Sequence, residues 1–183
     1  MSQLLFVSGH PNFGRSVANK AIWQQLQQQF PQAEFLRLDE KYGDFNIDVA
    51  AEQARVQQAD VIVLQFPLYL FGVPALMKKW LEDVFVNGFA HGSEHKVKGK
   101  KLIASFTFGA PEEVYQHDAL LHHTVEEILS PLQSFASLCA MDWAGDVHSG
   151  SVSSATQDPE KLQRVQQKAQ DHAERLAQLL NAI

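Results

Sequence analysis

LLFVSGHPNFGRSVANK, residues 4–20, sets a continuous apolar run directly ahead of a turn bearing Gly and Pro, and follows it with helical spacing. The run does not alternate with polar residues, so it reads as a strand buried on both faces, Leu4–Ser8, in a parallel sheet. A turn between a first strand and a first helix is where phosphate loops sit, yet this one matches neither GxGxxG nor GxxxxGK[ST]. Ser16 is placed to cap the helix, whose free N–H groups and positive dipole end favour an anion. His10 and Arg15 add charge or hydrogen bonds. Taken alone, the stretch fits an ordinary Gly/Pro turn with a serine cap equally well.

The same logic repeats along the chain. Further strands are expected at Glu34–Leu38, Val61–Phe66, Leu102–Thr107 and, more weakly, Trp143–His148, with helices near 16–30, 49–59, 74–87, 117–140 and 158–182. Alternating strands and helices with right-handed crossovers predict an α/β fold, a doubly wound five-stranded parallel sheet of order 2-1-3-4-5 with helices on both faces. Asp158 and Pro159 open the last helix as N-cap and first helical residue. Its apolar stripe, Leu162, Val165, Ala169, Ala173, Leu176 and Leu180, faces the sheet. Pro131 is expected to kink or divide the 117–140 helix.

Composition narrows the function. The 183 residues, 45% of them apolar, suit a single domain over 1–183, and a formal charge of −6 without a long basic stretch speaks against nucleic acid as a partner. Lys96, Lys98, Lys100 and Lys101 read as a solvated turn ahead of a strand, or else as a site for a dinucleotide phosphate. Cys139 stands alone, so it is expected to be a buried, inert thiol in a reducing compartment. No apolar run approaches the ~20 residues of a membrane span, and a soluble, cytoplasmic protein is expected.

In the predicted topology the loops after strands 1, 3 and 4 converge. The second, Pro67-Leu68-Tyr69-Leu70-Phe71-Gly72-Val73-Pro74, is too apolar for an ordinary connection; a flat apolar ligand, a partner subunit or the protein's own core would explain it. The third, Thr107-Phe108-Gly109-Ala110 followed by Tyr115, offers backbone N–H groups and a phenol.

GHPNFGRSVANK, YGDFNIDVAAEQ, QFPLYLFGVPALMKKWLEDVF and TFGAPEEVY, in that order, resemble the flavodoxin-like NAD(P)H:quinone oxidoreductases over essentially the whole chain. The likeness extends to their small bacterial members, including the ancillary flavoproteins of glutathione-gated potassium-efflux systems. The resemblance implies FMN, with FAD as the alternative, its phosphate held by His10, Ser16, Val17 and Asn19 with Arg15 nearby. It implies an isoalloxazine ring lined by Pro67, Leu68, Tyr69, Leu70 and Phe71. Thr107, Phe108, Gly109 and Ala110 would meet the pyrimidine edge, and Tyr115 would be the active-site tyrosine. It further implies NADPH or NADH as donor, a quinone or similar flat electrophile as acceptor with ping-pong hydride transfer, and a homodimer. A membrane antiporter partner, with the protein peripheral to the inner membrane, is the alternative role.

Three positions depart from the family pattern. Leu70 stands where an aromatic residue is common, which weakens stacking. Phe108 and Ala110 replace Thr and Gly of a TTGG-like sequence and add bulk. A His usually follows the tyrosine, yet His117, His122 and His123 are out of register. His122 with Glu126 and His123 with Glu127 read as surface i,i+4 helix pairs, His91 and His95 lack a third ligand, and no metal is expected. A one-electron carrier is disfavoured because such proteins present a strongly acidic face.

Overall fold

The computed structural model describes residues 2–153 and 158–183. Strands β1 (Leu4–Ser8), β2 (Glu34–Arg37), β3 (Val61–Pro67), β4 (Lys101–Thr107) and β5 (Asp142–Ser149) form one parallel sheet in the order β2-β1-β3-β4-β5. This is the flavodoxin-like arrangement expected from the apolar runs. Helices α1 (Ala18–Gln29) and α6 (Pro159–Asn181) cover one face. Four others, α2 (Leu38–Lys41), α3 (Val49–Gln58), α4 (Ala75–Val84) and α5 (Val125–Leu138), cover the second.

The last helix behaves as its spacing demands. Asp158 accepts a hydrogen bond from the Glu160 N–H, Pro159 occupies the first turn, and the stripe from Val165 to Leu180 is buried, with Leu162 half-buried. The fifth helix corrects the expectation of one spanning 117–140. It begins at Val125, because Thr124 and Glu127 close a reciprocal capping box. Pro131 lies inside it without dividing it. His122 and His123 therefore precede the helix, and the expected helical pairs with Glu126 and Glu127 do not form. Instead the His122 and His123 Nδ1 atoms donate to the carbonyls of His117 and Leu121, and His117 reaches Glu127 at 3.7 Å.

Two clusters absent from the sequence reading hold the α2–α4 side together. Glu52 is fully buried, and its carboxylate accepts from Lys41 at 2.9 Å, Tyr42 at 2.7 Å, Arg55 at 3.3 Å and Trp80 at 3.1 Å. A buried carboxylate is tolerated because its lone pairs are filled; removing a partner of such a pair costs about 3–5 kcal/mol. Lys100 is not the solvated lysine expected of its turn, since its ammonium donates to the Gln57 and Ala59 carbonyls at the end of α3. Cys139 is buried as expected, and burial pushes its thiol up to about 11.

The upper end of the α1/α6 face departs from an apolar core. Phe6, Val63, Ile103 and Val147 belong to that core. Residues two further along each strand share the face, so Ser8, Gln65, Ser105 and Ser149 extend it, with Thr107 beyond Ser105. All are buried. Two helical side chains meet this layer. On α6, His172 takes Ser105 at Nε2 (2.9 Å) and Ser149 at Nδ1 (3.0 Å). On α1, Asn19 takes Thr107 and Gln65.

Candidate functional site

The level strand ends bring three loops together. Ser8 pairs with Gln65, and Pro67 with Thr107, so the loops after β1, β3 and β4 leave the sheet side by side where the strand order reverses. Between them lies a cleft of about 300 Å3, bordered by His10, Ser16, Ala18, Asn19, Pro67, Leu68, Tyr69, Thr107, Phe108, Gly109, Val152 and Ser153.

The first loop is fixed from several directions. The Gly9 N–H donates to the Gln65 carbonyl, and the loop passes so close to α4 that a Cβ at Gly9 would stand 2.7 Å from Met77. His10 Nδ1 accepts the Asn12 N–H at 3.1 Å, so the imidazole proton resides on Nε2. Burial lowers the His10 pKa; Asp39 opposes this and Arg37 adds to it. His10 is thus a neutral donor beside the cleft. The loop next makes a 3-10 turn, Phe13–Arg15, before α1. Phe13 is buried under the Arg37 guanidinium, which lies 4.4 Å from its ring, and its N–H donates to Asp39. The Ser16 hydroxyl accepts the Asn19 N–H at 3.1 Å, the expected cap, although regular helix starts at Ala18. The remaining first-turn N–H groups of α1 have no intrahelical partner.

The second loop is built in the opposite way. Tyr69 and Gly72 exchange two main-chain hydrogen bonds of 3.1 Å around Leu70 and Phe71, whose φ angles are 45° and 67°. Such a two-residue turn normally carries Asn-Gly, because both positions are left-handed. Here it holds two bulky apolar residues, 94% and 53% exposed. On its other side a groove of about 560 Å3 opens between α4 and α5, lined by Phe66, Phe71, Leu81, Phe85, Leu132 and Phe135 among others. Leu68 borders both the groove and the cleft.

The third loop shows why the added bulk at Phe108 does no harm. Its ring turns below the loop, 4% exposed, against Phe106, Tyr115 and His148 at 6.1, 4.7 and 6.0 Å. Space for it comes from Gly150, where a Cβ would lie 2.7 Å from the Phe108 ring. The Phe108 N–H donates to the Ser149 carbonyl, while Gly109 and Ala110 make no main-chain donation among the described residues.

Of the residues singled out in the sequence, His10, Ser16, Asn19, Pro67, Leu68, Tyr69, Thr107, Phe108 and Gly109 border the cleft. Arg15, Val17, Leu70, Phe71, Ala110 and Tyr115 do not. Arg15 is exposed; Val17 packs toward the α1/α6 core. Tyr115 is 4% exposed behind Phe108, and burial raises its phenol pKa. Three bordering residues were missed: Ala18, Val152 and Ser153. The stretch after β5 is a fourth wall, signalled only by its place beyond a strand end. No group of three or more His, Cys, Asp or Glu among the described residues is arranged to hold a metal.

The donor set bears on what the cleft can accept. Among the described residues no Asp or Glu borders it, whereas a neutral imidazole N–H, a helix N-terminus and the hydroxyls of Ser16, Tyr69, Thr107 and Ser153 do. Such a set suits an anionic group at one end, and Pro67, Leu68 and Tyr69 suit a flat apolar one at the other.

Comparisons with known proteins agree with this architecture. A family profile described as flavodoxin-like fold matches residues 2–173. The glutathione-regulated potassium-efflux system ancillary protein KefG of Enterobacter sp. (strain 638) is 37% identical over 143 residues, 78% of this chain and 78% of that protein. Among solved structures, general stress protein 14 of Treponema denticola in complex with FMN superposes with a TM-score of 0.85 at 30% identity, covering 98% of this chain and 99% of that one. An NADPH-quinone reductase from P. pentosaceus gives 0.76 at 26% identity, covering 94% and 98%.

Proposed function

Since the chain belongs to the flavodoxin-like fold family, we propose that its cleft holds FMN and that it is a flavin-dependent NAD(P)H:quinone oxidoreductase. The observation that carries this reading is the cleft's division into a carboxylate-free polar end and an apolar wall. The flavin, when bound, supplies reversible hydride exchange. Ser16, the α1 N-terminus and the His10 Nε2–H receive its phosphate, with Arg15 and Val17 flanking. Pro67, Leu68 and Tyr69 exclude water from the ring. Gly109, whose N–H donates to no main-chain carbonyl among the described residues, would meet its pyrimidine edge, with Ala110 next to it outside the cleft lining; a fixed donor there would favour the more electron-rich, reduced form. Tyr115, buried behind Phe108 with its phenol pKa raised by burial, would back the wall that Phe108 forms and would not act as a base. NADPH or NADH would serve as the electron donor and a quinone as the acceptor, each entering the cleft in turn.

The functional unit proposed is a homodimer. Leu70 and Phe71 are held exposed in left-handed backbone, a strained arrangement that persists where surroundings make use of it. A second copy seated on this turn and the adjoining groove completes the apolar wall.

A second reading rests on the 37% identity to a potassium-efflux ancillary protein: a flavoprotein that regulates an antiporter, on the cytoplasmic side of the membrane. No helix among the described residues is long and apolar enough to cross a membrane, so attachment would run through the partner. Visible spectroscopy after FMN reconstitution, followed by NADPH oxidation with a small quinone, separates the readings. Bound flavin with quinone-dependent turnover supports the enzyme. Flavin without turnover leaves the regulator, and no flavin uptake removes both.

A further inference from the structure

We propose that Gln65 is a positioning residue which, acting through Asn19, fixes the Thr107 hydroxyl as a hydrogen-bond donor to the occupant of the cleft. Gln65 lies on β3 and is 1% exposed. Its Nε2 donates to the Asn19 main-chain carbonyl at 3.0 Å, which sets the orientation of its amide, since the reverse would press two acceptor oxygens together. The same Nε2 stands 3.5 Å from Asn19 Oδ1. Turning the Asn19 amide over would bring two donors face to face, so its NH2 must point the other way, to Thr107 Oγ1 at 3.0 Å.

The chain of donations therefore runs in one direction, from Gln65 to Asn19 to Thr107. Thr107 Oγ1 spends an acceptor site on Asn19, and its own proton finds no acceptor among the described residues. Thr107 borders the cleft. A buried hydroxyl whose proton is unspent and whose other side is fixed is a directed donor. Gln65 Oε1, turned away from Asn19, has no hydrogen-bond partner among the described residues.

The test rests on the proposed FMN site and is a double-mutant cycle read by FMN dissociation constant, with thermal midpoints of the apo proteins as a fold control. Gln65→Leu and Thr107→Val, both close to isosteric, are each expected to weaken FMN binding about 10-fold, one hydrogen bond's worth. Together they should still lose only about 10-fold, because Gln65 acts through the hydroxyl already removed. Thr107→Ser, which keeps the hydroxyl, should stay within about 3-fold of the parent. Gln65→Met provides a second route should Gln65→Leu fail to fold: it keeps an unbranched chain of similar length and removes the donor to Asn19, so its loss should likewise vanish in the Thr107→Val background. Additive losses approaching 100-fold, or no loss from Gln65→Leu, overturn the relay while leaving the flavin site intact. Failure of the parent protein to bind FMN instead overturns the site, and the relay with it.

Discussion

On one side of the cleft His10, Ser16 and Asn19 are 7%, 6% and 3% exposed and each makes a hydrogen bond; on the other, Tyr69, 50% exposed, opens a turn that main-chain bonds alone close and whose Leu70 and Phe71, 94% and 53% exposed, lie outside the cleft lining. The first wall is held within one chain by hydrogen bonds to α1, β3 and β4, and it leaves the His10 Nε2–H and the Thr107 hydroxyl proton without an acceptor among the described residues. The second leaves apolar surface uncollected. Burying a side chain such as Leu or Phe contributes about 1.5–3 kcal/mol, and here that gain is withheld at the expense of left-handed backbone. On the proposed reading the polar wall serves a ligand, and the apolar wall serves a ligand and a second protein surface together.

The largest effect is expected from breaking the polar wall at its centre. Asn19→Leu removes the partner of Thr107 and leaves Gln65 Nε2 with only a main-chain acceptor inside the protein. Loss of about 2–4 kcal/mol in unfolding free energy should follow, with FMN binding weakened by ~100-fold or more. Denaturant titration and flavin fluorescence quenching measure the two. A substitution of equal size on the apolar turn should produce neither.

The buried layer beneath that wall gives the next effect, through pH. Burial first, and then Arg175 and His148, hold the His172 pKa down to about 3 against its ordinary 6.5. In the folded protein the imidazole stays neutral between Ser105 and Ser149. Below pH 6.5 the unfolded chain binds a proton that the folded one refuses, so stability is full above that pH and falls on acidification toward about 3. The slope for one proton is about 1.4 kcal/mol per pH unit. His10, also lowered by burial, adds in the same direction. Unfolding free energies measured from pH 7 to 4 should fall less steeply in His172→Gln than in the parent, even if the variant begins less stable.

These two walls were unequally legible in the sequence. The strands and their order followed from apolar runs such as Leu4–Val7 and Val61–Leu64, whose burial on both faces is a property of the run itself. Ser16 could be marked because a cap acts within one turn of its helix, and Asn19 only through the family resemblance. Gln65, Ser105 and His172 could not: their partners lie 46 and 67 positions away for the Gln65–Asn19 and Ser105–His172 contacts, and nothing local distinguishes them from apolar core. The 117–140 helix was overread because its apolar spacing continues upstream, while the start is decided by the Thr124–Glu127 capping box. The apolar turn was visible as composition, but its left-handed backbone was not, since Leu-Phe is a sequence no turn rule selects.

On the apolar side, Leu70→Glu should leave the monomer's unfolding free energy within about 0.5 kcal/mol, because the side chain is 94% exposed. The same charge placed in a dimer contact should weaken self-association at least 10-fold, a cost of about 1.4 kcal/mol or more, read by analytical ultracentrifugation across a dilution series. An unchanged dimer, or a protein monomeric from the start, would separate this turn from any second copy.

The smallest effect isolates the strain itself. Asn adopts left-handed backbone more readily than Leu, and at φ 45° Leu70 contributes almost no burial to offset its conformation. Leu70→Asn should therefore stabilise the monomer by about 0.5–1 kcal/mol while weakening self-association and raising the KM for quinone a few-fold. Chemical denaturation under monomeric conditions, set beside steady-state kinetics, reads both quantities from one variant. Opposite signs for stability and function are the signature of a turn kept strained for what it presents. If both fall together, Leu70 serves the folded monomer after all, and the contrast between the two walls reduces to one of composition.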